Sequence, residues 1–121
     1  MKALTNKSCN WEWIDIDNNL HEMQKIVGGH IELIPIAGIS LYCNEEGKLE
    51  ELPPTACWIN PDDGTIIDVL CGNLIVFGPS DQDGNETDAT EKTLEILKKH
   101  LILVYAVEKD EGTILIIEPR A

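Results

Sequence analysis

The chain has 121 residues, 43% of them hydrophobic, which suits one folded domain over residues 1–121 and excludes a disordered chain. Its 22 acidic and 9 basic residues give a net charge of -13, which disfavours direct binding to nucleic acid and favours a basic protein partner. The same acidity could serve only solubility, an alternative that composition leaves open. Because no apolar run is long enough to span a bilayer and the first residues lack the apolar stretch of a signal peptide, we expect a cytoplasmic protein without membrane contact.

The N-terminal third predicts a strand and a helix. Residues 1–10 carry little apolar pattern, and we expect them to be weakly ordered. From Trp11 onward, apolar side chains alternate with acidic ones, which predicts a strand. An amphipathic helix follows, with Asp17 or Asn18 as its N-cap and Gly28-Gly29 at its end, since glycine adopts a left-handed C-cap conformation without strain.

The middle of the chain predicts short strands. Ile31 to Leu41 reads as two strands that are interrupted near Pro35 or at Ala37-Gly38. Three further apolar segments between Thr55 and Phe77 are separated by turn sequences, and together they predict a β-meander.

The last third predicts a helix followed by a hairpin. Thr90 to His100 has acidic residues in its first turn and basic residues in its last, which suits the helix dipole. Residues 101–121 contain two apolar segments around a charged turn and predict a C-terminal hairpin extension. The whole pattern predicts an α+β fold, an antiparallel-dominated β-sheet with two short helices packed on one side.

Metal and cofactor sites are not expected. The four cysteines are spread singly, without a C-x-x-C pair, and the three at apolar strand positions are expected to be reduced and buried. These three are Cys43, Cys57 and Cys71, and the fourth is Cys9.

One acidic loop resembles a calcium loop in part. Asp81, Asp83 and Asn85 match the first three ligand positions. Glu86 stands where such a loop requires glycine, and Lys92 stands where it requires a bidentate glutamate. A solvated loop is therefore the preferred interpretation, with a weak surface cation site as the alternative.

Catalytic signatures are also missing from the sequence. No phosphate-binding glycine loop, nucleophile elbow or H-E-x-x-H zinc motif is present. Adjacent carboxylates such as Glu45-Glu46 point apart on a strand or into water in a turn, so they rarely act as an acid and base pair. We therefore expect a protein that is not an enzyme and needs no cofactor.

Several short stretches carry a family resemblance: Val27-Gly28-Gly29, Ile31-Glu32, Asn44 to Leu49 and Leu52-Pro53. This pattern resembles a family of small proteins, domain of unknown function 3846, which is common in Firmicutes and in their phages and mobile elements. The resemblance implies a gene that travels with phage, and small acidic phage proteins often act on host defence or regulation by binding. It supplies no catalytic residues.

The first functional hypothesis is an inhibitor of a bacterial defence nuclease, similar to an anti-CRISPR protein. In this hypothesis an acidic surface occupies a basic nucleic-acid-binding groove. The candidate contact residues are carboxylates that turns and loops should expose. They are Glu45, Glu46, Glu50, Glu51, Asp62, Asp63, Asp81, Asp83, Glu86 and Asp88.

Two alternatives remain open. One is a nucleotide-sequestering module, in which Trp11, Trp13, Trp58 and Tyr42 stack a base of a defence signalling molecule. The other is a homodimeric adaptor that pairs through the exposed edge of the hairpin at 101–121.

Overall fold

The computed structural model describes residues 1–7, 9–17, 19–47, 49–109 and 112–117, with side chains as far as residue 105. The described residues form nine strands and two helices. In chain order these are β1 (Lys2–Lys7), β2 (Asn10–Asp15), α1 (Leu20–Val27), β3 (Ile31–Ile36), β4 (Ile39–Asn44), β5 (Pro54–Ile59), β6 (Ile66–Cys71), β7 (Ile75–Phe77), α2 (Glu91–His100), β8 (Leu101–Lys109) and β9 (Gly112–Ile117).

The strands form two sheets in which every described pairing is antiparallel. The larger sheet has five strands in the order β2-β1-β7-β4-β3, and the smaller has four in the order β6-β5-β8-β9. The predicted α+β class with an antiparallel sheet is therefore confirmed.

β7 is the central strand of the five-stranded sheet. Val76 lies opposite Leu4 on β1 and Leu41 on β4, and all three residues of β7 are buried. The chain leaves β6 through Gly72, which has a φ of 80° and donates its N–H to the Pro53 carbonyl. The prediction of a β-meander is therefore wrong after β6, because β7 does not pair with β6 but joins the five-stranded sheet. All three residues of β7 are apolar, and the centre of a sheet that is covered on both faces stabilises such a strand.

Two clusters of buried side chains hold the fold together. The main cluster joins one face of the five-stranded sheet to the four-stranded sheet and to α2, and it includes Leu4, Leu41, Val76, Ala56, Leu70, Leu103 and Leu97. The second cluster covers the other face with α1, through Met23, Val27, Ile75 and Phe77. Neighbouring residues of a strand point to opposite faces, so α1 and α2 pack on opposite faces of the five-stranded sheet. The two helices were predicted to pack on one side.

The expectation of weak order at the N-terminus is wrong for Lys2–Lys7. These residues form β1, in which Ala3 and Leu4 are fully buried. Ala3 belongs to the α1 cluster and Leu4 to the main cluster, so this short segment supplies one side chain to each face. Two apolar residues in a row are a weak sequence signal, but they suffice for a strand enclosed between two neighbours.

The ends of α1 illustrate what local sequence specifies. Its N-cap is Asn19, whose side chain accepts from the Glu22 N–H at 2.9 Å, and not Asp17; Asn18 lies outside the described residues. Its C-terminal end is at Gly28 in the left-handed conformation, as predicted. No helix in the described ranges combines the length and the apolar character needed to cross a membrane.

β8 and β9 form the predicted C-terminal hairpin, with Val104 opposite Ile117 and Lys109 opposite Gly112. Its predicted turn at 110–111 and the final residues 118–121 lie outside the described residues.

Candidate partner-binding surface

The loop after β4 is built on Asn44, the last residue of that strand. Its side chain is 5% exposed. Its Nδ2 donates to the Val27 carbonyl at 3.3 Å, and its Oδ1 accepts from the Glu46 N–H at 2.8 Å. Val27 ends α1, and carbonyls of a last turn have no donor within the helix. Asn44 therefore caps α1 and shapes the turn that carries the next acidic residues.

Glycines allow the neighbouring segments to approach this turn. A Cβ at Gly29 would lie 2.9 Å from Asn44 Nδ2, and one at Gly47 would lie 3.3 Å from the Cys71 carbonyl. The Glu45 N–H donates to the His30 carbonyl at 2.8 Å. The described parts of the stretches that carry the family resemblance, 27–32 and 44–53, therefore meet at one end of the fold.

Six carboxylates lie at this end, and we name them the acidic end: Glu32, Glu45, Glu46, Glu50, Glu51 and Asp68. Three of them, Glu32, Glu45 and Asp68, line a cleft of about 130 Å³, and no described residue of its lining is Lys or Arg. Leu49 also lines the cleft and is 85% exposed. An exposed leucine beside carboxylates offers apolar contact area next to a polar rim, an arrangement that a protein partner can use.

The acidic end contains four of the ten predicted contact residues and two that the sequence did not reveal. Glu45, Glu46, Glu50 and Glu51 are exposed in the β4–β5 connection, as predicted. Glu32 lies on β3 and Asp68 on β6, far away in sequence. In the sequence, Asp68 is marked only as the single charged residue of the apolar strand IIDVLC. The pairing of β6 with β5 places it at the acidic end.

Asp62 and Asp63 lie elsewhere, in the turn between β5 and β6. Pro54, at the other end of β5, pairs with Cys71, which lines the acidic cleft. Six residues of strand at about 3.3 Å each place the turn roughly 20 Å from the Cys71 end of that cleft, whereas Asp68, which also lines it, lies two residues after Ile66 at the start of β6. The Thr65 N–H and hydroxyl both donate to Asp63, at 2.9 and 2.7 Å, and these bonds lower the pKa of Asp63. The two aspartates therefore belong to a separate turn.

Asp81, Asp83 and Asp88 form a third location between β7 and α2. The Ser80 hydroxyl lies 3.4 Å from the Ser40 hydroxyl, near the start of β4. Glu45 and Glu46 of the acidic end follow Asn44, the last residue of β4, so the two locations are at opposite ends of this strand. Asp81 Oδ1 accepts from the N–H groups of Asp83 and Asn85, both at 2.9 Å, and the bond from Asn85 is the main cause that lowers the pKa of Asp81. This carboxylate orders its own turn. In the described part of the chain no three His, Cys, Asp or Glu residues are arranged to hold a metal ion.

Glu86, predicted to be an exposed contact residue, is only partly exposed. It accepts a hydrogen bond from the Tyr42 hydroxyl. Its Oε2 is buried and has no hydrogen-bond partner among the described residues. Burial of Tyr42, with the hydrogen bond to Glu86 and the negative charge of Glu86, raises the pKa of Tyr42. The expected full exposure of Glu86 is wrong because Tyr42 lies on the α1 face of β4, where the loop after β7 folds over it.

The four aromatic residues proposed to stack a base do not come together. Trp11 and Trp58 pack against the main cluster, whereas Tyr42 packs against the α1 cluster. Trp13 is 40% exposed on the edge strand β2.

A larger cleft of about 360 Å³ lies at the base of the C-terminal hairpin. Tyr105 and Lys7 are among the residues that line it. Two of its other polar side chains, Thr55 and Asn6, already donate to the Gly72 carbonyl, at 2.7 and 3.4 Å. The lining also includes the ammonium group of Lys7 and the aromatic ring of Tyr105.

The cysteines differ in exposure. No disulfide joins any of the four, all of which lie in the described ranges. Cys43 and Cys57 are buried, and burial raises the pKa of the Cys57 thiol. Cys71, expected to be buried, is partly exposed because it ends β6 at the acidic cleft.

A protein-family model, Domain of unknown function (DUF3846), matches residues 3–102. The resemblance stated from the sequence is thereby confirmed at the level of the family. The matched range includes the whole acidic end and both helices, and it stops within β8, before the residues that pair with β9. Comparisons with curated proteins and with solved structures give no match.

Proposed function

The chain belongs to the DUF3846 family, and from this premise we propose that it is a cytoplasmic, non-enzymatic inhibitor whose acidic end occupies a basic groove of a partner protein. The observation that carries the proposal is the cleft that Glu32, Glu45 and Asp68 line together with the exposed Leu49. The connection that contains Leu49 adds the exposed Glu46, Glu50 and Glu51. Three separate segments, β3, the β4–β5 connection and β6, contribute to it.

The chemistry of this surface suits a groove that normally holds nucleic acid. Such grooves present Lys and Arg to a row of phosphates, and carboxylates on a rigid scaffold can take the place of those phosphates. The Asn44 hydrogen bonds fix the turn that carries Glu45 and Glu46, which lowers the entropic cost of binding. The apolar side chain of Leu49 supplies contact area that charge alone lacks.

The identity of the partner in this proposal follows from the family resemblance. A small acidic protein of phages or mobile elements gains from blocking host defence, so the proposed partner is a nucleic-acid-binding defence nuclease, and the activity is similar to that of an anti-CRISPR protein.

The proposal is tested with affinity-tagged protein in lysate of a host that carries CRISPR and other defence systems. Bound proteins are identified by proteomics, and the recovered nuclease is assayed for DNA cleavage with increasing amounts of the purified chain. We expect one stoichiometric basic nuclease that is released at high salt and inhibited in a dose-dependent way. A captured nuclease that binds the chain but still cleaves DNA at an undiminished rate would overturn the inhibitor function.

A second candidate function, nucleotide sequestration, is favoured by one observation, the cleft lined by Lys7 and Tyr105. Its volume of about 360 Å³ is within the range of small-molecule sites, and an aromatic ring with an ammonium group suits a base and a phosphate. A thermal shift with cyclic or linear nucleotides that is lost in Lys7→Ala would support this function. No shift with any of them, and no nucleotide in the purified protein, would exclude it.

A further inference from the structure

The two sheets have four edge strands in the described part of the chain: β2, β3, β6 and β9. An edge strand exposes unpaired backbone groups, and proteins usually protect it with charged residues or proline. β2 contains Glu12 and Asp15, β3 contains Glu32 and Pro35, and β6 contains Asp68. Three of these edges are therefore protected against pairing.

β9 lacks this protection. Its sequence, GTILII, has no charged residue and no proline, and four of its six residues are β-branched. Such residues favour extended backbone. In a chain with a net charge of -13, this is an uncharged strand at a sheet edge.

The position of β9 also gives it little support. β5 pairs with β8 only at 101–103, whereas β9 pairs with 104–109. In the described pairings, the outer part of β8 and β9 is therefore a two-stranded ribbon that continues beyond β5. Ribbons of two strands are marginally stable in water, and a further strand is what usually stabilises them.

We propose that β9 pairs antiparallel with β9 of a second copy, so that two four-stranded sheets become one eight-stranded sheet across a twofold axis. A twofold axis brings the same surface of both copies together and satisfies both free edges at once. The occupant is a second copy because residues 112–117 contain no carboxylate. Two acidic chains can therefore approach each other along β9 without opposed negative charges within the paired strands.

This dimer goes beyond the proposed inhibitor function and is independent of it. β6, which carries Asp68 of the acidic end, is at the opposite edge of the four-stranded sheet from β9. Pairing through β9 therefore leaves that end available. Salt separates the two interactions, because screening weakens binding to a basic partner but relieves repulsion between two acidic copies.

The test is sedimentation velocity of the full chain over a wide concentration range. We expect a monomer–dimer equilibrium that strengthens with salt and that weakens at least tenfold in Leu115→Lys. The matched control is Leu33→Lys, which adds the same charge to the edge strand β3 at a side chain that is 48% exposed; it should leave the dimer unchanged. A monomer at all concentrations, or equal weakening by both variants, would overturn the proposal.

Hydrogen exchange of the unsubstituted chain gives a second readout, in case Leu115→Lys does not fold. Amides of 112–117 should exchange more slowly at dimer-forming concentrations than at tenfold dilution, whereas amides of β3 should not respond. Equal exchange of 112–117 at both concentrations would place any dimer contact elsewhere and contradict the pairing of β9.

Discussion

Asn44 joins the end of α1 to the turn that carries Glu45 and Glu46 through one buried side chain. In Asn44→Asp the donor to the Val27 carbonyl becomes a carboxylate oxygen that faces that carbonyl, so we expect a loss of about 1–3 kcal/mol in the free energy of unfolding. Asn73→Asp is the matched control, because Asn73 Nδ2 donates to the adjacent Ile26 carbonyl at 3.0 Å but is exposed. Water can replace that bond, and its loss should stay within about 0.5 kcal/mol. Urea denaturation measures both values, and equal losses would contradict the role of Asn44.

Tyr42 makes stability depend on pH in the alkaline range. Its folded pKa is raised above the ordinary value of 10.0 by burial first and by Glu86 second. The contribution is therefore fully present below pH 10 and is lost as pH rises above it. Thermal melting between pH 8 and 11 should show a steeper loss of stability for the natural chain than for Tyr42→Phe. Parallel curves would show that the Tyr42 proton is not held by the fold.

Among the elements, β7 contributes most to both clusters relative to its length. Ile75 is fully buried in the α1 cluster, whereas Ile66 on β6 is 61% exposed. Ile75→Ala should cost about 2–5 kcal/mol, since deleted core methylenes leave a cavity. Ile66→Ala makes the same chemical change and should cost less than about 0.5 kcal/mol. Chemical denaturation compares the two, and a small loss for Ile75→Ala would contradict the central position of β7.

Local pattern predicted most elements, because their signals lie within a few residues. Gly28 ends α1 as expected, and Thr90, predicted as the first residue of the second helix, is the N-cap of α2; both depend on neighbouring backbone groups. The position of β7 between β1 and β4 was not predictable in this way. It depends on pairing between residues more than 30 positions apart, such as Leu41 and Val76, and short strands carry no label for the sheet that they join.

The candidate site was predictable only in part, for the same reason. Adjacent turn residues such as Glu45 and Glu46 were identified, since a glycine-containing turn exposes charges. Glu86 was assigned to the same surface because composition does not distinguish a carboxylate in water from one that accepts from a tyrosine. Asp68 was missed because its neighbours in space come from β3 and the β4–β5 connection.

For the whole molecule, charge is distributed unevenly in a way that net charge does not reveal. The ten predicted carboxylates divide among the acidic end, the β5–β6 turn and the segment before α2. We expect partner affinity to fall as salt rises from 50 to 500 mM, roughly the range over which the Debye length shrinks to a few ångströms. Affinity measured by biolayer interferometry that stays constant across this range would contradict an electrostatic interface.

The central claim is that the acidic end, and not overall acidity, binds the partner. It is tested by affinity capture with three chains: the natural one, Glu45→Lys with Glu46→Lys, and Asp62→Lys with Asp63→Lys. Both double variants change the net charge equally, and all the substituted residues are exposed. The account predicts that the Glu45/Glu46 variant loses the captured basic protein, whereas the Asp62/Asp63 variant retains it. Equal retention or equal loss in the two variants would contradict it.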